Sequence, residues 1–261
     1  MNAACDCVEE VATTEVESPF EAGIFVIDKP AGPTSFKMVS GVRRALGIKK
    51  VGHAGTLDPF ATGLLVVCVG RPATKMISAM MEGQKEYLAT LCLGVETETL
   101  DPEGAVVSRH PVAPLQAEQI EECLSSFRGQ QLQVPPIYSA LKHQGKPLYH
   151  YARQGISIVK APRPVFIDTL ERMDGGDDLP GGEEVQLSVR VVCSKGTYIR
   201  SLAADIGRSL GCGAYLTQLR RIKSGCFTLE DSFPGADLFL PDARQRLLAK
   251  ALSVDDIGNL L

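Results

Sequence analysis

The chain has 261 residues, 27 Lys+Arg against 31 Asp+Glu, a formal net charge of −4 and 44% hydrophobic residues. That length and apolar content suit one large or two small soluble domains and exclude disordered, collagen-like and coiled-coil classes. The longest apolar stretch, Leu64–Val69, is far too short to cross a bilayer, no secretory signal pattern opens the chain, and the acidic balance argues on its face against a nucleic-acid partner.

In chain order, residues 23–28 read as a short buried strand stopped by Lys29-Pro30 and a Gly32-Pro33 turn. Thr34 or Ser35 then caps a helix running to Leu46 and closed by Gly47. Residues 52–63 form a Gly-rich loop, Leu64–Val69 an apolar strand, 73–81 a Met-rich helix and 86–93 another strand. Gln116–Phe127 places Ile120, Cys123, Leu124 and Phe127 at helical spacing, the pattern of an amphipathic helix. Region 131–170 is mixed, with short strands, a Pro135-Pro136 break and a helix at 147–154. Val185–Cys193 alternates as a half-buried strand, and Thr197–Leu210 is helical up to Gly211. A hairpin over 214–229 and a helix over 242–252 end the pass, while 174–182 is a surface turn. Helices and strands intermix without the regular alternation of doubly wound folds, so the class is α+β with a mixed or antiparallel sheet.

Charge is distributed unevenly. Residues 1–22 hold six acids and no base, the composition of a disordered tail. Segments 23–75, 128–164 and 190–223 together hold 21 of the 27 bases and only three acids. A fold that joined them would present a polyanion-binding face; three separate solvated faces are the alternative.

The eight cysteines show no C-x-x-C pair, and most lie in apolar runs, as reduced buried residues would. Cys5 and Cys7 form a C-x-C without a second ligand pair, and the four histidines show no metal-binding spacing. No phosphate-binding glycine motif occurs, so neither a nucleotide cofactor nor a metal is expected.

The loop Gly52–Gly63 carries the sharpest feature. Pro59 holds Asp58 in extended backbone, and the flanking glycines allow a ligand to approach closely. A carboxylate so placed, five residues after His53, suits a nucleophile, a general base or a metal ligand, or equally a turn-forming Asp-Pro.

Gly52–Gly63 resembles the signature loop of the TruB family of tRNA pseudouridine synthases. Asp28-Lys29-Pro30 with Gly32 and Thr34-Ser35 resembles that family's N-terminal motif, and Lys85-Glu86-Tyr87 its second. Val134–Lys142 resembles its RNA-clasping insertion, Gly196–Arg200 its third active-site motif, and Leu219-Arg220-Arg221 with Ser224-Gly225 its closing one. The resemblance implies a pseudouridine synthase fold: a mixed, mostly antiparallel sheet flanked by helices, with a clasping insertion over about 131–164 of a catalytic domain spanning 23–235.

The resemblance further implies isomerisation of the T-loop uridine at position 55 of tRNA, without cofactor or metal, by a cytoplasmic monomer with no obligatory protein partner. Asp58 matches the catalytic aspartate, and Arg200 the arginine that pairs with it and holds its pKa down. Tyr87 matches the tyrosine that stacks on the target base, Tyr198 a second active-site tyrosine, and Leu219 an apolar contact to the flipped base. His53 matches a histidine contacting RNA. Lys142, Arg153 and Arg220 are placed as backbone contacts, and Lys29, Arg43-Arg44 and Lys49-Lys50 as extensions of the same basic face. Bacterial relatives commonly continue into a small RNA-binding module (PUA). Here about forty residues follow Arg221, with 236–261 reading as a helical remnant too short and acidic for that module. The competing readings are a guide-RNA-dependent (H/ACA-like) catalytic subunit and a non-catalytic RNA-binding or RNA-folding protein.

Overall fold

Gly23–Lys29 forms β1, six of whose seven residues are buried. The Thr34 side chain accepts the Lys37 amide and opens helix α1 (Ser35–Leu46), which Gly47 closes in left-handed backbone at φ 71°. The expected loop at 52–63 begins differently: Val51–Ala54 is a strand, β2, paired antiparallel with β3 (Thr62–Val69). β3 needs such partners, because seven of its eight residues are buried. The structure, a computed structural model, describes residues 20–173 and 175–261; the acidic segment before Phe20, Cys5, Cys7 and Asp174 lie outside the described residues.

The Met-rich helix is two short ones, α2 (Gly70–Lys75) and α3 (Ile77–Met80). They part at Met76, whose amide reaches back only three residues to Ala73 and tightens the turn. β4 (Lys85–Leu93) follows, then a hairpin unmarked in the sequence, β5 (Val95–Thr97) with β6 (Val106–Arg109). α4 (Ala117–Ser126) starts with a reciprocal capping box between Gln116 and Gln119. β7 (Gly129–Gln133) leads into the insertion, where β8 (Lys142–His143) and β9 (Lys146–Pro147) form a tight hairpin before α5 (Leu148–Ala152). β10 (Arg163–Arg172) and β11 (Val185–Cys193) pair antiparallel. α6 (Ile199–Ser209), β12 (Ala214–Ser224), β13 (Phe227–Thr228) and β14 (Phe233–Pro234) follow. A 3₁₀ turn (Gly235–Phe239), α7 (Ala243–Leu248) and α8 (Val254–Gly258) complete the described chain.

Ten strands make one mixed sheet with the path β14-β1-β3-β12-β4-β11-β10-β7. The β1/β14 and β12/β3 pairs are parallel, and the other pairs antiparallel. One core packs β4, β11 and β12 against α4 and α6 through residues such as Leu91, Leu187, Ile120 and Ile206. A second packs β1 and β3 under α1 and α7, and a third covers the opposite face of those strands with α2, α3 and α8. The parallel contact between β3 and β12 sets Gly63 beside Arg221. A Cβ on Gly63 would lie 2.2 Å from the Arg221 carbonyl oxygen, and its φ is +98°, so only glycine lets the strands close here.

Candidate active site

The Asp58 carboxylate lines two clefts at once. A narrower one of about 330 Å³ is lined by Asp58, Lys85, Tyr87, Tyr198, Leu219 and Arg221. A wider one of about 540 Å³ is lined by Asp58, His53, Phe36, Asp101, Tyr149 and Arg153. Arg200 borders both.

The loop bearing Asp58 is held from three sides. Ser35 Oγ accepts the Leu57 amide and donates to the Leu57 carbonyl, both at 2.9 Å. Lys29 Nζ donates to the carbonyls of Pro59 (3.0 Å), Ala61 (2.7 Å) and its neighbour Pro30 (2.9 Å). Arg221 donates from Nη2 to Gly55 (3.1 Å), from Nη1 to Thr56 (3.4 Å) and from Nε to Leu64 (2.7 Å). A carboxylate on a loop tied down this way keeps one position without a partner of its own.

Arg200 supplies that partner. Its Nε lies 2.9 Å from Asp58 Oδ2, and its Nη1 2.9 Å from Asp101 Oδ2. Nη1 also donates to the Thr99 carbonyl and Nη2 to the Tyr138 carbonyl. The guanidinium is almost wholly buried, as is Asp101, whereas 34% of the Asp58 side chain opens to the clefts. Asp101 therefore pairs Arg200 from within, and Asp58 faces the clefts.

Burial raises the Asp58 carboxyl above its ordinary range, and Asp101 adds to the rise; Arg200 and Lys29 pull the other way. Arg200 lowers the Asp58 pKa, as the resemblance implies, and so offsets the desolvation without reversing it. Burial likewise raises the Tyr87 phenol and, with Arg221 beside it, lowers the His53 imidazolium. Tyr87 faces Arg221 in the β4/β12 register, so a guanidinium lies next to the phenol oxygen.

Tyr198 is the extended residue before α6, which is why the helix starts at Ile199 and not at Thr197. The Gln133 amide brackets its backbone: Tyr198 N donates to Oε1 at 2.8 Å, and Nε2 donates to the Tyr198 carbonyl at 3.0 Å. Leu219 is buried on β12 and walls the narrower cleft.

The structure brings together Asp58, Tyr87, Tyr198, Arg200, Leu219, His53 and Arg153. It places Lys29 and Arg220 away from those clefts and Lys142 at their edge. Lys29 is fully buried with its ammonium on backbone carbonyls, so it positions the loop and cannot reach a substrate phosphate. Arg220 grips Asp28 through two bonds of 3.1 and 2.7 Å and lines a separate groove with Leu88, Thr90 and Ser188. Lys142 is exposed on the insertion hairpin, one residue beyond the cleft-lining Leu141.

Sequence patterns assign no individual role to Asp101, Gln133, Arg221 or Lys85. Lys85 lines the narrower cleft with Nζ on the carbonyls of Met81 and Gly83, and burial lowers its pKa to about 8. Its place two residues before Tyr87 is the available signal. Asp101 lies in an acidic stretch with no motif, and its partner is 99 residues away. Among the described residues no cluster of His, Cys, Asp or Glu could hold a metal. Cys68, Cys92, Cys123, Cys193 and Cys212 are free and buried, and Cys226 is free and exposed.

Comparison with known proteins places this geometry in context. A family model described as TruB family pseudouridylate synthase, N-terminal domain, matches residues 43–199. One described as tRNA pseudouridylate synthase B C-terminal domain matches residues 200–240. A protein of Desulfotalea psychrophila named tRNA pseudouridine synthase B is 62% identical over 94% of this chain and 99% of its own length. A protein of the same name from Chromobacterium violaceum is 49% identical over 88% of this chain and 72% of its own. Among solved structures, an H/ACA RNP bound to a substrate RNA containing 2′-deoxyuridine superposes with a TM-score of 0.63 at 25% identity. A Cbf5–Nop10–Gar1 complex gives 0.64 at 27%. Each of these two matches covers 89% of this chain but only about three fifths of the solved chain.

Proposed function

The chain belongs to the TruB family of pseudouridylate synthases, and from that premise we propose that it converts the T-loop uridine at position 55 of tRNA to pseudouridine, acting alone as a cytoplasmic monomer. The observation that carries the reading is the meeting of Asp58, Tyr87, Tyr198, Leu219 and Arg200 around one cleft. No helix among the described residues is long and apolar enough to cross a membrane.

The target nucleotide leaves its stack, which costs a few kcal/mol recovered from backbone and stacking contacts. Its base enters the narrower cleft between Tyr87 and Leu219, and the ribose lies toward Asp58. The bond from C1′ to N1 breaks with Asp58 ionised at the glycosidic carbon, the base turns, and C5 bonds to C1′. N1 gains a proton and C5 loses one, so the sum is an isomerisation with no redox change. Arg200, which holds Asp58 Oδ2, favours the charged carboxylate against burial and the neighbouring Asp101 charge. Arg153 and Tyr149, stacked at 5.4 Å on the rim of the wider cleft, suit the RNA backbone and an unstacked base. The insertion of about 131–164 closes over the RNA within a catalytic domain of about 23–235.

Tritium release from [5-³H]uridine-labelled tRNA tests the reading, with Asp58→Asn as the control. Stoichiometric release by the wild type and none by the variant is the expected result. Tritium retained by the wild type removes the enzyme reading in favour of a binding protein. Release only on addition of a guide RNA transfers the chain to the guided class.

A further inference from the structure

Carboxylates meet the cations of this protein unevenly. Arg128, Arg190, Lys195, Arg208 and Arg220 all pair with acidic side chains, and Arg200 is enclosed by two. Six cations of the basic segments are thus matched by acids, Arg200 within the fold and the others at its surface. Lys37, Arg43, Arg44, Lys49 and Lys50, on α1 or just after it, form no ion pair among the described residues. All except the half-buried Arg43 are exposed.

Three of these cations, Lys37, Arg43 and Arg44, lie over aromatic rings. Lys37 and Arg44 lie seven residues apart, two turns on one helix face. The Phe239 ring lies between them, 5.5 Å from Lys37 Nζ and 5.2 Å from Arg44 Cζ. Arg43 stands 6.0 Å from the ring of Phe36, itself 65% exposed. Phe239 reaches this place on the 3₁₀ turn, which packs on α1 with Leu238 against Gly41. A guanidinium laid on a ring keeps its in-plane donors free for phosphate oxygens.

The helix is also fixed to the active site. Ser35, its first residue, holds Leu57 on the catalytic loop, and Phe36 lines the wider cleft beside Arg153. Its 12 residues, at about 1.5 Å each, carry the outer face roughly 18 Å away from that loop. We infer that the outer face of α1, with Phe239, is a second RNA-contact surface that holds the sugar–phosphate backbone of the substrate's stem up to a helix length away from the flipped nucleotide. Unpaired like charges in a row repel one another, and a polyanion lying along them relieves that repulsion. The inference rests on the proposed function, since it takes tRNA as the ligand.

The test compares wild type with the quadruple variant Lys37→Gln, Arg44→Gln, Lys49→Gln, Lys50→Gln in equilibrium binding over a range of salt. Two RNAs are used: a full tRNA transcript, and a T-arm hairpin with its stem trimmed below that 18 Å span. On full tRNA the variant is expected to bind at least tenfold more weakly, and its slope of log K against log salt to flatten by about 0.9 for each phosphate no longer neutralised. On the trimmed hairpin the two proteins bind alike. Equal affinity and slope on full tRNA overturns the inference, and so does the same penalty on the trimmed hairpin. A variant that misfolded would lose the hairpin too, and Lys49→Gln with Lys50→Gln, beyond the helix, repeats the comparison without touching α1. Tritium release run in parallel separates the two readings. An inactive wild type defeats the proposed function while the binding comparison still decides the surface.

Discussion

Asp58 and Asp101 share one guanidinium: Arg200 reaches the first through Nε and the second through Nη1, both at 2.9 Å. The two carboxylates differ in exposure, 34% against 4%, so one faces the clefts and the other faces the core. Asp101 is a positioning residue in this arrangement. Asp101→Asn keeps the shape but removes the charge that neutralises Arg200 from within. Turnover is expected to fall by at least about tenfold, with tRNA affinity nearly unchanged. Because the Asp101 charge helps raise the Asp58 carboxyl, its loss should also move the acid limb of kcat/KM to lower pH. A merely structural defect would lower the plateau and leave that limb in place.

The wild-type pH profile follows from Asp58 itself. The reaction needs the carboxylate, so kcat/KM should rise with pH through a value above the ordinary 3.8. Linkage gives the matching stability effect. The folded chain holds the Asp58 proton more tightly than the unfolded one, so stability falls as pH climbs from 3.8 through the raised value. Asp58→Asn is therefore expected to melt above wild type at pH 8 and to lose that advantage on acidification. A variant that melts lower at pH 8 would mean that the Arg200 pairing outweighs burial.

Lys29 yields a third prediction, of a kind that a surface cation would not. Its ammonium holds the Pro59 and Ala61 carbonyls just after Asp58, and burial lowers its pKa to about 8 from 10.5. Lys29→Met takes the donor from the Ala61 carbonyl, at about 1–3 kcal/mol, while Pro59 keeps the Gly32 amide at 2.8 Å. Thermal melting should show a clear destabilisation, and single-turnover kinetics a slowed chemical step with tRNA affinity retained. The pH dependence has the opposite sign to that of Asp58. Between 8 and 10.5 the unfolded chain binds the extra proton, so this lysine makes wild-type stability rise with pH across that window. Lys29→Met should reduce the rise, leaving the part that Lys85 contributes over the same window; a large loss of tRNA affinity would return Lys29 to the RNA surface.

What could be read from the sequence was local. β1, α1 and β11 followed from apolar runs, an N-cap threonine and strict alternation, all short-range signals. Asp58 was legible because Pro59 and the glycines mark its loop, and Arg200 through a motif. The role of Lys29 was hidden because a lysine before a proline reads as a solvated charge. Only the closing of β1 on β3 brings the Pro59 and Ala61 carbonyls, 30 and 32 residues away, onto its ammonium. Asp101 and Gln133 were hidden for the same reason, since their partners lie 99 and 65 residues along the chain. Total charge misled because acids and bases cancel in the sum, and counting bases by segment misled in turn, because the fold buries or pairs many of them.

Gln133 gives the last prediction. Its amide is the only side-chain group among the described residues bonded to both backbone groups of Tyr198, one bond accepted at 2.8 Å and one donated at 3.0 Å. Those bonds hold Tyr198 in extended backbone, start α6 one residue later and so set the register of Arg200 on its first turn. Gln133→Leu keeps the volume and removes both bonds. The freed Tyr198 amide costs about 1–3 kcal/mol, its carbonyl keeping the Leu202 amide at 3.1 Å, and a shift of even about 1 Å at the start of α6 misplaces Tyr198 and Arg200 together. Turnover is expected to fall by about tenfold or more, against little change in the affinity for tRNA held by α1 and the insertion. Gln133→Glu separates the two bonds: its carboxylate still accepts the Tyr198 amide but faces the carbonyl without a proton to donate. If both variants turn over like wild type in single-turnover assays, the bracket is not what places Tyr198. If Gln133→Glu keeps an intermediate rate, the accepted bond alone holds the helix start.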